Sequence, residues 1–366
     1  MKNKILTSLF LLLVFGFTLL DLLTPDRAFS EWENRELKGA PEISVGRIFS
    51  GEFGSDYESY MTDQFALRDS LVKIKYLADR ALLKTDAGGV YISDNTLFVK
   101  QNEINREYLE KNISAMETFS LKYPSRFILV PSATYICRDA LPPYAEVMDE
   151  KELFESFNFE SLEFINIIDE IKADSYFRTD HHWTADGALI GYNAYRRTLG
   201  KEALAKDAFD VSEVSQDFLG TSVSKSGAVG IEPDVLEKWE RGKVKSVEVY
   251  DGLKTSEYSS VYFDEYLDKK DKYSYYLGQN QPLVRIKTDS EGGKILIFKD
   301  SYAHIFSQLL IEDYSEIVLV DLRYVRERVA LLLEKTFDVS LEDFDEILFL
   351  YSTDTFTTEN NMLWIR

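Results

Sequence analysis

Histidine is scarce in this chain, with three in 366 residues: His181, His182 and His304. Cysteine is scarcer. The single Cys137 excludes an intramolecular disulfide, and beside Tyr135 and Ile136 it reads as a buried thiol, because free cysteine packs as a small hydrophobe. Lack of disulfides usually marks a reducing compartment, yet a domain of this size needs no staples outside a cell either. Basic residues are in deficit, 42 Lys and Arg against 63 Asp and Glu, for a formal charge of −21. That argues against nucleic acid, whose phosphates need clustered Lys and Arg. It also argues against electrostatic adhesion of the globular surface to anionic lipid; a neutral polymer or a small acyl donor fits better. No internal repeat or low-complexity tract is present. A hydrophobic content of 45% with 14% aromatic residues excludes a largely disordered chain.

One long apolar run is present, Ile5 to Leu20, resuming at Leu22 and Leu23 after Asp21. A spanning helix needs about 20 mostly apolar residues, a signal-peptide core roughly 7–15. Ala28-Phe29-Ser30 resembles a cleavage site, but an uncleaved anchor over residues 1–23 is the preferred reading. Lys2 and Lys4 then lie in the cytoplasm and the domain outside. Residues 24–50, broken by Thr24-Pro25 and Gly39-Ala40-Pro41, read as an extended linker. Residues 51–366 read as one large domain, with a tyrosine-rich insertion or edge region over 231–290.

Apolar spacing predicts an amphipathic helix over Phe53–Leu83, a hairpin from Val90-Tyr91-Ile92 and Thr96–Val99, and helices over 103–122, Leu153–Ile171 and Val325–Thr336. Short apolar runs bounded by breakers predict buried strands at Arg126–Val130, Lys294–Phe298, Ile317–Val320 and Ile347–Tyr351. Ser175–Arg178 reads as a further strand delivering Asp180, and Thr184 as the N-cap of the next helix. Strands alternating with helices give an α/β fold with a mostly parallel sheet, whose sites form beyond the carboxyl ends of the strands. Asp180, His182 and Ser301 each fall just past such an end.

All three histidines sit in two segments, Asp180-His181-His182-Trp183 and Lys299–His304. A serine hydroxyl needs a base during attack; imidazole suits, and a carboxylate on its other nitrogen fixes the tautomer. In extended backbone Asp180 and His182 share a face, which makes His182 the base and turns His181 away as a structural residue. Ser301 opens a helix, where its hydroxyl meets acyl carbonyl and its N–H faces an oxyanion. The bland reading of Asp300 and Ser301 is helix capping. A metal site is the rival use of Asp180, His181 and His182, but zinc-like ligand spacing is absent and no metal is expected. The tyrosines over 258–276 read first as half-buried surface residues, with stacking on sugar rings the less common use.

Thr179–Thr184 followed by Gly187 resembles the signature of the bacterial DHHW proteins. These are relatives of the periplasmic alginate O-acetylation proteins in the SGNH hydrolase-like superfamily. Ser30–Arg35, Gly51-x-Phe53, Asp63–Asp69, Phe218–Thr221, Phe298–Tyr302 and Asp321–Tyr324 extend the likeness from residue 30 to the end. The resemblance implies a three-layer α/β/α SGNH-like sandwich in permuted order, with Asp-x-His before the serine. By carry-over Asp180 orients, His182 is the base and Ser301 accepts the acyl group. The usual Gly and Asn blocks of the oxyanion hole have no clear counterpart; Asn280, Arg323 and Tyr324 are the candidates for oxyanion or substrate contact. The implied function is a membrane-anchored, extracytoplasmic O-acyltransferase. It would move acetyl groups, without a cofactor, from a membrane-bound acyltransferase to a cell-envelope or exported polysaccharide. A carbohydrate acetylesterase and a non-catalytic glycan-binding scaffold are the rivals.

Overall fold

The computed structural model describes every residue except 1, 31, 34, 102 and 366. Met1 of the expected anchor and Glu31 and Asn34 of the Ser30–Arg35 segment therefore lie outside the described residues. The chain forms two compact units, residues 1–88 with 223–230, and residues 89–222 with 231–366.

In the first unit, helix α1 (Lys2–Leu23) contains a 20-residue stretch, Lys4–Leu23, of mean hydropathy 2.3, long and apolar enough to cross a membrane. The stretch expected as a bare linker carries a short antiparallel pair, Phe29–Ser30 with Arg35–Glu36, and a helix, Val45–Ser50. Charge fixes it in place: Arg35 donates to both oxygens of Asp63 at 2.9 and 2.6 Å, and Lys38 N–H to Asp63 at 2.9 Å. The single helix expected over Phe53–Leu83 is two, α2 (Glu52–Gln64) and α3 (Arg68–Ala81), broken at Phe65-Ala66-Leu67.

The second unit is built on eight strands: β1 (Ser125–Val130), β2 (Leu162–Ile165), β3 (Val244–Tyr250), β4 (Thr255–Tyr258), β5 (Leu283–Thr288), β6 (Lys294–Lys299), β7 (Glu316–Val320) and β8 (Glu346–Ser352). Their order is β4-β3-β5-β7-β6-β8-β1-β2. The run from β7 to β2 is parallel, while β5, β3 and β4 continue it antiparallel. Residues 231–290 thus supply one edge of the sheet. Alternation within each strand separates two cores. Ile128, Ile295, Ile297, Leu319 and Leu348 face α5 (Ala185–Thr198) and α6 (Ala303–Leu309). Phe127, Leu296, Phe298, Val318 and Phe349 face α4 (Arg106–Ser120), α7 (Val329–Phe337) and α8 (Thr353–Thr358). The result is the expected three-layer α/β fold, its central strands β1, β6, β7 and β8 buried on both faces.

Two local expectations are corrected. Leu153–Ile171 is not one helix: a short helix, Glu150–Ser156, gives way to β2, because Leu162 and Ile165 complete the sheet edge beside β1. Ser175–Arg178 joins no sheet. Ala173–Ser175 is a single 3-10 turn, and Tyr176 pairs with Trp183 across a closed loop.

Candidate active site

That loop shapes one half of the site. Phe177 N–H bonds the His182 carbonyl at 3.2 Å, and Leu97 N–H bonds the Arg178 carbonyl at 2.8 Å. The buried Asp234 carboxylate accepts from Arg178 N–H (3.1 Å), Thr179 N–H (2.8 Å) and Thr179 Oγ1 (2.6 Å). The backbone is therefore a turn held at both shoulders rather than an extended strand. Asp180 and His182 do meet, but through this turn: Asp180 Oδ1 accepts His182 N–H at 3.0 Å and His182 Nδ1 at 2.5 Å. His182 Nε2 lies 2.7 Å from Ser301 Oγ. Carboxylate, imidazole and hydroxyl form one hydrogen-bonded chain. With Nδ1–H given to Asp180, the Nε2 lone pair is left for the serine proton.

Ser301 follows β6 at the carboxyl edge of the parallel strands, as the sequence expects. Its φ is not among the positive values of the described residues, so it does not sit on a strained nucleophile elbow. The Asp300 carboxylate accepts from Tyr302 N–H at 3.0 Å and from Ser352 N–H and Oγ at 2.8 and 2.7 Å, tying the turn to the end of β8. Trp183 Nε1 donates to the Tyr302 carbonyl at 2.9 Å, and Tyr302 OH donates to the His181 carbonyl, so the two motif segments are laced together on either side of the relay.

Asp180 is 1% exposed. Burial alone would push its carboxyl up, but the facing imidazoles of His182 and His181 and the Thr221 N–H outweigh it and hold the group well below the usual carboxylate range. Thr221 donates twice to Asp180 Oδ2, from N–H at 2.7 Å and Oγ1 at 2.8 Å. Gly220 is needed for this approach: a Cβ there would lie 2.3 Å from Asp180 Cβ and 2.4 Å from Oδ2. His181 does not turn away as expected. Its ring packs 3.9 Å from that of His182, its Nδ1 lies 2.9 Å from Thr221 Oγ1, and its side chain is 37% exposed. Asp180, His181 and His182 offer ligand atoms within 4.8 Å of one another, but Asp180 and His182 spend theirs on the hydrogen bonds above.

Tyr273 lies flat on His182, ring centroids 3.8 Å apart at 7°, and its OH donates to the Ser301 carbonyl at 3.1 Å. Burial first, then the Asp180 charge, pushes its phenol well above the ordinary range, so it stays a neutral donor. Tyr262, Tyr275 and Tyr276 are also buried, which removes them from sugar stacking. Beyond Tyr273 lies His304, at 6.2 Å and 15°. Burial and the Lys299 charge push the His304 imidazole well below its ordinary value, leaving it neutral to accept from Lys299 Nζ at 2.8 Å. Lys299, 1% exposed, is also 3.4 Å from the fully buried Asp321.

The three candidate oxyanion or substrate residues are not brought together around Ser301 by any described contact. Arg323 is turned onto Asp321, with bonds of 2.9 and 2.7 Å. Tyr324 is exposed, and the Asn280 Oδ1 is buried with no hydrogen-bond partner among the described residues. Sequence reading missed Gly220, Thr221 and Tyr273 as site residues. The first two lay in a segment quoted for the resemblance; Tyr273 was one tyrosine among several in the edge region, on a 3-10 turn, Lys272–Tyr275, where no periodicity singles it out.

Residues 165–320 match the family described as DHHW protein. No curated protein matches the chain. Among solved structures, Bacillus cereus PatB1 is 18% identical with a TM-score of 0.62, covering 74% of this chain and 98% of its own; a second structure of it carries a sulfonyl adduct. A DHHW family protein from Eubacterium siraeum is 19% identical with a TM-score of 0.63, covering 75% of this chain and 94% of its own. The O-acetyltransferase domain of Pseudomonas putida AlgJ aligns more loosely, at 14% identity and a TM-score of 0.45 over 76% of this chain and 95% of its own. PatB1 and the Eubacterium protein share the fold. The residues that match the DHHW family include both Asp180-His181-His182-Trp183 and Ser301.

Proposed function

We propose that the chain is a membrane-anchored serine O-acyltransferase of the cell envelope, with Ser301 as acyl carrier, His182 as base and Asp180 as its orienting carboxylate. The observation that carries this reading is the continuous bond chain Asp180–His182–Ser301 at the carboxyl edge of the sheet. Ser301 Oγ attacks the acyl carbonyl as its proton passes to His182 Nε2, and Asp180 stabilises the imidazolium. The tetrahedral adduct collapses, the leaving group departs with that proton, and an ester remains on Ser301. A sugar hydroxyl then gives its proton to His182, attacks the ester, and leaves acylated as Ser301 Oγ recovers the proton. The Ser301 backbone N–H, bonded to no acceptor among the described residues, supports its reading as the first oxyanion donor. A polysaccharide acceptor, an acetyl donor delivered by a membrane acyltransferase, and α1 as the single-pass anchor complete the reading.

The test is a chromogenic acetyl ester incubated with the full chain, with and without a neutral oligosaccharide. Acetylated sugar gained at the expense of free acetate is the expected result; free acetate alone makes the protein an esterase. Ser301→Ala lowers either rate by about a thousandfold or more and abolishes labelling by a sulfonyl fluoride. Unchanged turnover in that variant overturns the assignment.

A further inference from the structure

The first unit contains an apolar face that the catalytic reading does not use. On α3, Leu67, Leu71, Ile74 and Ala78 recur at helical spacing, and Leu67 and Ile74 are 58% and 59% exposed. The opposite face, Tyr76 and Asp79, is the buried one. Between α2 and α3 runs an apolar groove of about 700 Å³ lined by Tyr57, Met61, Phe65 and Leu71. At the corner Leu67 holds φ 60°, ψ 18°, a left-handed backbone that glycine or asparagine adopts more readily. The corner thus holds a strained, exposed leucine.

What lies against this face follows from α1. Ala66 N–H donates to Asp21 Oδ1 at 2.9 Å, and the Phe65 ring stacks on Phe17 at 5.8 Å. Phe17 is six residues before the end of α1, so the corner is held about 9 Å below that end, at 1.5 Å per residue. With α1 spanning a bilayer, the Asp21 and Phe17 contacts place the corner about 3–9 Å inside the boundary of headgroups and acyl chains, the depth at which interfacial helices lie. We propose that the α2–α3 corner is a lipid-contact element, its leucine stripe laid into the interfacial layer beside the anchor. This rests on the reading of α1 as a membrane span. The acidity of the chain is no obstacle, because the contact is apolar rather than electrostatic.

The experiment uses the full chain in phosphatidylcholine vesicles, with Cys137→Ser and an environment-sensitive dye on Leu67→Cys, Ile74→Cys or, as reference in α1, Phe10→Cys. All three replaced residues are exposed, so the fold tolerates the change. Brominated lipid should quench all three dyes at least twofold, while aqueous iodide leaves them nearly unchanged. Quenching of the dyes at 67 and 74 by iodide, with the dye at 10 still quenched by bromolipid, overturns the inference and leaves the anchor standing. If the dye at 10 also meets iodide, anchor and inference fail together. Dyes at 67 and 74 shielded from both quenchers indicate a second copy in the groove, and overturn the lipid assignment.

Discussion

At the scale of single residues, the site depends on small clearances around one carboxylate. Gly220→Ala sets a methyl carbon against Asp180, whose oxygens are already fixed by Thr221 and His182, so Asp180 must shift. A displacement of about 1 Å in such a relay costs roughly a hundredfold in rate. The expected outcome is kcat lowered 10- to 100-fold with a nearly unchanged melting curve; full turnover would mean the carboxylate tolerates the move. Tyr273 offers a finer dissection. Tyr273→Phe keeps the ring on His182 and loses the bond to the Ser301 carbonyl, whereas Tyr273→Leu loses the ring too. A face stacked on a ring that turns cationic during attack is worth about 0.5–2 kcal/mol. Acetyl-ester turnover should therefore fall only a few-fold in the first variant, and a further 2- to 30-fold in the second. Equal losses would remove the stack from the mechanism.

At the scale of elements, the two segments of the proposed relay are tied at their far ends as well as at the site. Asp313, in the turn after α6, accepts from Arg196 of α5 at 2.9 Å, from Tyr192 OH, and from Lys201 at 3.4 Å. Arg196 is 8% exposed, so Asp313→Ala strands a buried guanidinium and should cost about 3–5 kcal/mol in urea unfolding. Burial pushes the Asp313 carboxyl up, but Tyr192, Lys201 and Arg196 more than offset it and hold the value below its ordinary 3.8. A depressed carboxylate contributes stability that is complete above its unfolded value and lost as pH falls through the folded one. The gap between wild type and Asp313→Asn should thus be full at pH 7 and shrink below about pH 4; a gap independent of pH would assign the loss to packing. Elements of this unit differed in how readily the sequence showed them. Strands β1, β6, β7 and β8 were readable because burial on both faces demands short continuous apolar runs. Tyr176 and Phe177 gave a false strand, since a closed loop packed into the core uses the same residue types. β2 was hidden because Leu162 and Ile165 also fit helical spacing after Glu150–Ser156. The preference for His182 over His181 rested on extended alternation, which the turn does not follow, although closeness in sequence was enough for a turn to join His182 to Asp180.

For the whole molecule, the excess of acid is the property that no single contact expresses. With a formal charge of −21, the chain repels a polyanion at low salt, where the screening length is about 30 Å at 0.01 M, and much less at 0.15 M, where it is about 8 Å. Encounter with a charged polymer is governed by this summed field rather than by the relay. The proposed catalytic steps, by contrast, fall in a turn where Asp180 and His182 are buried and salt has little reach. The two contributions separate by ionic strength. With a neutral oligosaccharide as acceptor, kcat/KM should stay within about twofold between 0.01 and 0.15 M salt. With a uronate polymer of the same length it should rise several-fold, through KM and not kcat. A uronate rate that falls as salt is added would show a local basic patch steering the polymer against the net charge.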